Sequence, residues 1–223
     1  MRIILIETST ALCSTALCEN GMVIASRRSS EPRTHAAMTA VYVEEMLREA
    51  GVKVSDCDAV CLSKGPGSYT GLRVGSSTAK GLCFGAGIPL IAVGTPEVLF
   101  AQAGERVKEF DWIVPMIDAR RLEVYDAVFS PDGRKVRDTA PEVIEAESFK
   151  DFPGRILLIG DGALKCKPIL GEERFEYLDC CPDATSMASL ATSAFTEGRF
   201  EDIAYFEPFY LKEFIATTPK KLL

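Results

Sequence analysis

Apolar and polar positions alternate along the chain in recognisable blocks. Arg2–Ile6 carries four consecutive aliphatic residues, the pattern of a strand buried on both faces. Cys13–Cys18 and Met22–Arg27 follow as strands, joined by Glu19-Asn20-Gly21. Asn-Gly between two strand-like runs signals a hairpin, because both turn positions favour φ > 0. Pro32 breaks the pattern. Thr34 can cap a helix to about Ala50, in which Met38, Val41, Val43, Met46 and Leu47 have rough helical spacing and Gly51 gives the stop. Asp58–Ser63 reads as a fourth strand, Gly65-Pro66-Gly67 as a tight turn, and Ser68 to about Ala86 as a helix. Pro89–Val93 is a fifth strand and 96–104 a further helix. The order β-β-β-α-β-α-β-α predicts an α/β layer with a mixed sheet.

The second half begins in the same way. Trp112–Asp118, Glu123–Phe129 and Lys135–Thr139 read as strands, the last two joined by Ser130-Pro131-Asp132-Gly133. From the acid that ends the first strand to the turn glycine is 14 residues in one half (Glu7 to Gly21) and 15 in the other (Asp118 to Gly133), which suggests a weak internal repeat. Arg155–Gly160 is an apolar strand running into Gly160-Asp161-Gly162. Residues 185–197 read as a helix with Thr185 or Ser186 as cap, and 207–211 as a terminal strand. Residues 104–111 give the best boundary between the halves.

Composition narrows the chemistry. The 223-residue chain is 47% hydrophobic and 26% charged, an ordinary globular balance, and is long enough to form a core without disulfides or metal. It has one histidine, His35, which leaves no H-E-x-x-H zinc site and no two-histidine iron site. A Ser-His-Asp triad would have to use His35, and no serine stands on a nucleophile elbow. The net charge of −7 falls entirely in the second half: residues 1–110 hold 11 basic and 11 acidic side chains, residues 111–223 hold 14 and 21. No basic cluster is large enough for this chain alone to grip RNA. Eight cysteines without a C-x-x-C read as free thiols of a reducing cytoplasm, although the neighbouring pair Cys180-Cys181 is unexplained. No signal peptide or membrane span is visible, and a cytoplasmic chain is expected.

Four features are candidates for function. Glu7-Thr8-Ser9-Thr10 ends a strand in an acid and small hydroxyls, a way for a sheet edge to meet Mg²⁺ and phosphate, or simply a capped strand end. Asp118 is its counterpart in the repeat. Gly65-Pro66-Gly67-Ser68-Tyr69-Thr70-Gly71-Leu72-Arg73-Val74-Gly75 opens a helix yet matches neither G-x-G-x-x-G nor G-x-x-x-x-G-K-[ST]. Gly71, Gly75 and Ala79 form a small-residue stripe at i, i+4, i+8. Helical glycines cost roughly 1 kcal/mol each, so close packing must offset them, internally or across an interface. Arg120-Arg121 follows Asp118 and either reaches phosphate or is a solvated pair.

These stretches, with Ile3–Thr10, Gly87-Ile88-Pro89-Leu90, Asp118-Ala119-Arg120-Arg121-Leu122-Glu123-Val124-Tyr125, Gly160-Asp161-Gly162-Ala163 and Pro208-Phe209-Tyr210-Leu211-Lys212, resemble the TsaB (YeaZ-type) family in order and over nearly the whole chain. The resemblance implies an actin-like, sugar-kinase-like ATPase fold of two duplicated α/β lobes, here 1–104 and 105–223. It implies a non-catalytic subunit in the making of threonylcarbamoyladenosine in tRNAs that read codons beginning with A. In that scheme TsaD holds the metal and transfers the threonylcarbamoyl group, TsaE joins the complex, and tRNA is met only through the complex. TsaD relatives bind metal through histidines on the first helix and after the strand that here is Pro89–Val93. Here His35 stands alone and Gly94-Thr95-Pro96-Glu97 follows that strand, so no metal site is expected.

By the same resemblance the first two helices form the face that pairs with TsaD, or with a second copy when the chain is alone. Its candidate residues are His35, Met38, Tyr42, Gly71, Arg73, Gly75 and Ala79, and a bulky residue at Gly75 is expected to abolish pairing while leaving the fold intact. Candidate nucleotide-facing residues are Glu7, Thr8, Ser9, Asp118, Gly160, Asp161 and Gly162. The family more often has Asp where Glu7 stands, and the extra methylene carries the carboxylate about 1.5 Å further. No cofactor of its own is therefore expected, with a nucleotide at a complex interface left open. The alternative functions are an ATP-dependent phosphotransferase of the sugar-kinase type and, on older glycoprotease-like names, a peptidase without the residues for it.

Overall fold

The computed structural model describes residues 1–32 and 34–212. Ten strands form two five-stranded sheets. The first contains β1 (Arg2–Glu7), β2 (Cys13–Glu19), β3 (Met22–Ser29), β4 (Ala59–Ser63) and β5 (Leu90–Val93), in the order β3-β2-β1-β4-β5. The second contains β6 (Trp112–Asp118), β7 (Glu123–Phe129), β8 (Lys135–Val143), β9 (Ile156–Ile159) and β10 (Phe175–Leu178), in the order β10-β9-β6-β7-β8. In each sheet the first three strands in sequence form an antiparallel meander, and the last two add in parallel on the other side of the first. The internal repeat read from two acids and two turn glycines is thus a repeat of topology.

Local chemistry explains most of the elements. β1 and β6 are the central strands, covered on both faces, as their unbroken apolar runs require. The β2–β3 turn has φ +50° at Asn20 and +82° at Gly21, the left-handed pair an Asn-Gly hairpin supplies. Helix α1 (Thr34–Ala50) begins at the expected threonine. Helix α2 (Tyr69–Ala86) is capped by Ser68, whose hydroxyl accepts from the Gly71 N–H at 3.3 Å, and ends at left-handed Gly87.

The layers do not divide at residue 104. Helix α3 (Thr95–Ala103) precedes that point, yet it turns Leu99 and Ala103 onto the second sheet, against Ile113, Ile117, Phe129 and Leu157. Helix α5 (Ala188–Thr196) follows it, yet it packs Ala188, Ala191 and Ala194 on the first sheet, against Ile3, Leu5 and Cys61. The other face of the first sheet is covered by α1 and α2 through Val43, Met46, Leu47, Ala79 and Cys83. The boundary expected at 104/105 separates the strands but not their helices, and residues 184–206 belong with the first lobe.

Three smaller expectations are corrected. Strand β10 has no counterpart in the sequence reading. The helix expected over 185–197 opens with a tight turn capped by Asp183, whose carboxylate accepts from the Thr185 N–H at 2.8 Å, so neither Thr185 nor Ser186 is the cap. Residues 207–211 form no strand; Phe209 donates one backbone bond to Lys64 O at 2.7 Å. Between β9 and β10 lie a tight 3-10 turn at Leu164–Cys166 and a one-turn helix, α4 (Lys167–Leu170). No helix among the described residues is long and apolar enough to cross a membrane.

Candidate functional site: strand ends and an open helical face

The carboxyl end of β1 is sealed. Glu7 is 0% exposed and shares its sheet face with Ser14 and Ser63. One carboxylate oxygen accepts from the Ser9 N–H at 2.5 Å, and the other has no partner among the described residues. Burial pushes the Glu7 carboxyl up to about 7, the polar groups of nearby Ser9 and Ser63 oppose the rise, and nearby Asp183 adds to it. Thr8 turns the other way and donates its hydroxyl to Gly71 O at 2.9 Å. Ser9 O accepts from the Ser68 N–H at 2.6 Å.

Helix α2 therefore sits directly on the strand end. A Cβ at Gly71 would lie 2.1 Å from Thr8 O, one at Gly75 2.3 Å from Thr8 Oγ1, and one at Gly67 2.2 Å from Ser9 O. Gly71, Gly75 and Ala79 are all buried. This corrects two expectations. The small-residue stripe is internal, closing α2 onto β1, and offers no surface to a partner. A bulky residue at Gly75 meets Thr8 and so perturbs the fold itself.

The matching end of β6 is more open. Asp118 is 46% exposed, pairs with Lys165, and accepts from the Arg120 N–H at 2.8 Å. Asp161 accepts from the Asp118 N–H at 3.0 Å, and burial raises its carboxyl. The Gly160–Gly162 loop lies against β6, with Gly162 N donating to Met116 O at 3.0 Å. The structure thus gathers Asp118, Gly160, Asp161 and Gly162 at one place and buries Glu7, Thr8 and Ser9 at the other. These residues do not fit a metal–nucleotide. Such a ligand needs ionised, accessible carboxylates and free backbone N–H groups. Glu7 is enclosed and burial raises its carboxyl to about 7, Asp118 is paired with Lys165, and the Thr8–Ser9 backbone is covered by α2. Glu7, Thr8 and Ser9, expected to face a nucleotide, are instead enclosed in this structure.

The turn after β6 is unusual for its residues. Arg120 and Arg121 have φ +71° and +54°, a conformation that costs a non-glycine residue roughly 1–2 kcal/mol. Both side chains are exposed.

The outer surface of α1 and α2 is open. Ala36, Tyr69, Thr70, Arg73, Val74, Ser77 and Thr78 line a groove of about 580 Å³ between the two helices. Phe84, near the end of α2, is 85% exposed. Arg73 lies over the Tyr69 ring at 4.1 Å, and Tyr210 packs on the other side chain of that pair, ring to ring with Tyr69 at 4.9 Å. Of the residues expected on this face, Arg73 is exposed, and His35, Met38 and Tyr42 are half-buried. His35 Nε2 is buried without a hydrogen-bond partner among the described residues. The sequence reading drew this face from residues 34–50 and 68–86, which include Tyr69, Thr70, Val74, Ser77, Thr78 and Phe84, but did not single these six out. Val74 and Phe84 carried a signal: they are apolar, yet fall outside the Leu72, Ala79, Cys83 stripe that faces the core.

Two mixed sheets of identical topology form the duplicated α/β architecture of the actin-like, sugar-kinase-like fold. A solved structure with this fold, the activator of 2-hydroxyisocaproyl-CoA dehydratase from Clostridium difficile, aligns over 89% of the chain and 96% of its own length with a TM-score of 0.52, but at 10% identity it speaks to the fold alone. The family model for TsaD, tRNA N6-adenosine threonylcarbamoyltransferase, matches residues 24–218. The Escherichia coli relative named tRNA threonylcarbamoyladenosine biosynthesis protein TsaB is 32% identical over 97% of this chain and 96% of its own. YeaZ from Pseudomonas aeruginosa is 29% identical, covers 94% of this chain and 99% of its own, and superposes with a TM-score of 0.82. The chain belongs to the TsaB (YeaZ) family of tRNA threonylcarbamoyladenosine biosynthesis proteins.

Proposed function

We propose that the chain is a non-catalytic subunit that docks on the transferase TsaD through the open α1/α2 face and holds it in its active arrangement. The observation that carries this reading is the groove between α1 and α2, lined by Ala36, Tyr69, Thr70, Arg73, Val74, Ser77 and Thr78, together with Phe84 further along α2, which is left exposed. A face of this composition left in water marks an interaction site. The single histidine supports a non-catalytic role, because it cannot rebuild a two-histidine metal centre. The enclosed Glu7–Ser9 strand end disfavours the alternative of a sugar-kinase-type phosphotransferase.

The same face pairs two copies when TsaD is absent. TsaE joins the assembled complex, tRNA meets the chain only there, and the work is cytoplasmic. Ser77→Trp tests the docking surface. Ser77 is exposed, so the fold tolerates the ring, while the groove it lines is filled. Affinity for TsaD in a titration is expected to fall at least tenfold, about 1.4 kcal/mol, with the unfolding midpoint unchanged. Equal affinity of variant and wild type contradicts the assigned face.

A further inference from the structure

We infer that the Arg120-Arg121 turn contacts the phosphate backbone of tRNA in the assembled complex; this rests on the reading of the chain as a subunit of a tRNA-modifying assembly. Both residues hold the left-handed backbone conformation that glycine or asparagine adopts without strain. The chain uses Asn20-Gly21 for left-handed turn positions in the β2–β3 hairpin, and Gly133 in the β7–β8 hairpin, so arginine is not there for the turn. Strain held at a surface turn points to a use for the side chains.

The surroundings keep that tip rigid and positive. Ala119 N donates to Glu123 O at 3.1 Å and Glu123 N to Arg120 O at 3.2 Å. Lys165 Nζ binds Glu123 O at 2.6 Å and pairs with Asp118, so one lysine staples both ends of the loop. Lys212 pairs with Glu123. The acids flanking the turn are thus matched by lysines behind it, and Asp161 is turned onto the Asp118 N–H. The two guanidinium groups have no acidic partner among the described residues. Guanidinium forks bind phosphate oxygens in pairs, and a rigid tip loses little freedom in doing so. On a chain of net charge −7 two such groups cannot hold RNA alone, but they add a local contact once a partner brings tRNA close.

The test replaces the turn in the full complex with Arg120→Asn/Arg121→Gly, which suits the backbone and removes both charges. A second variant, Arg120→Gln/Arg121→Gln, removes the charges and keeps the strain. The thermal midpoint of the Asn/Gly chain is expected to rise by a few degrees. The complex containing either variant is expected to bind tRNA about tenfold or more weakly at low salt. Its plot of log affinity against log salt concentration should be shallower by about one to two. Co-purification with the transferase should be unchanged. Equal affinity and slope for wild-type and variant complexes overturn the inference. Lost co-purification at an unchanged slope overturns it in favour of an acidic protein surface. A wild-type chain that does not assemble with the transferase at all overturns the subunit reading as well, so the two failures are distinguishable.

Discussion

Gly71→Ala is expected to destabilise the protein by about 3 kcal/mol or more, while Gly81→Ala in the same helix stabilises it by up to about 1 kcal/mol. Both replace a helical glycine with the best helix former, so propensity alone predicts a gain at both. At Gly81 a Cβ meets nothing within 4 Å and the gain is realised. At Gly71 the Cβ would lie 2.1 Å from the backbone oxygen of Thr8, which cannot rotate away. Helix α2 must lift off β1, breaking the bond from Thr8 Oγ1 to Gly71 O and that from Ser68 N to Ser9 O. A loss of this size is a large share of a total stability of roughly 5–15 kcal/mol. Urea unfolding of the two variants beside the wild type measures both. Equal stability of Gly71→Ala and wild type would show that α2 does not rest on the strand end.

Glu7→Gln is expected to stabilise the protein by about 3 kcal/mol at pH 8 and by little at pH 4.5. The folded carboxyl titrates near 7 and its ordinary value is 4.5. The folded state therefore keeps a proton that the unfolded state releases. Stability from this group is full below pH 4.5, falls as pH rises to 7, and stays low above, where a buried charge has one hydrogen bond and one unpartnered oxygen. The amide carries no charge at any of these pH values. Buried Asp126, also pushed up to about 7 by burial against the pull of Arg137, contributes its own fall over the same window in both proteins. The difference between variant and wild type isolates Glu7. A difference that does not change between pH 5 and pH 8 would mean that Glu7 is solvated.

The meanders and the repeat were legible because their signals are local: an Asn-Gly turn, unbroken aliphatic runs, an acid at each central strand end. β10 was not, since Phe175-Glu176-Tyr177-Leu178 is four half-buried residues with no alternation. The exchange of α3 and α5 between sheets was not legible either. An apolar helix face says that a helix is covered, not which sheet covers it. The small-residue stripe announced a close approach without naming what approaches, and only the tertiary structure identifies Thr8 rather than a partner. Glu7 misled for a related reason: an acid at a strand end reads alike whether it faces a ligand or is folded in. The open face of α2 was half visible, in Val74 and Phe84, whose apolar side chains had no place in the core stripe.

The role of the chain is tested most directly by tRNA modification in vitro. TsaD, TsaE, the activated threonylcarbamoyl donor and an unmodified transcript are incubated with wild-type chain, with the Ser77→Trp variant, and with no addition, and threonylcarbamoyladenosine is measured by mass spectrometry of the digested tRNA. A non-catalytic activator predicts product with the wild-type chain, little or none without it, and recovery with Ser77→Trp only when that variant is in large excess. Equal product with and without the chain would contradict the account.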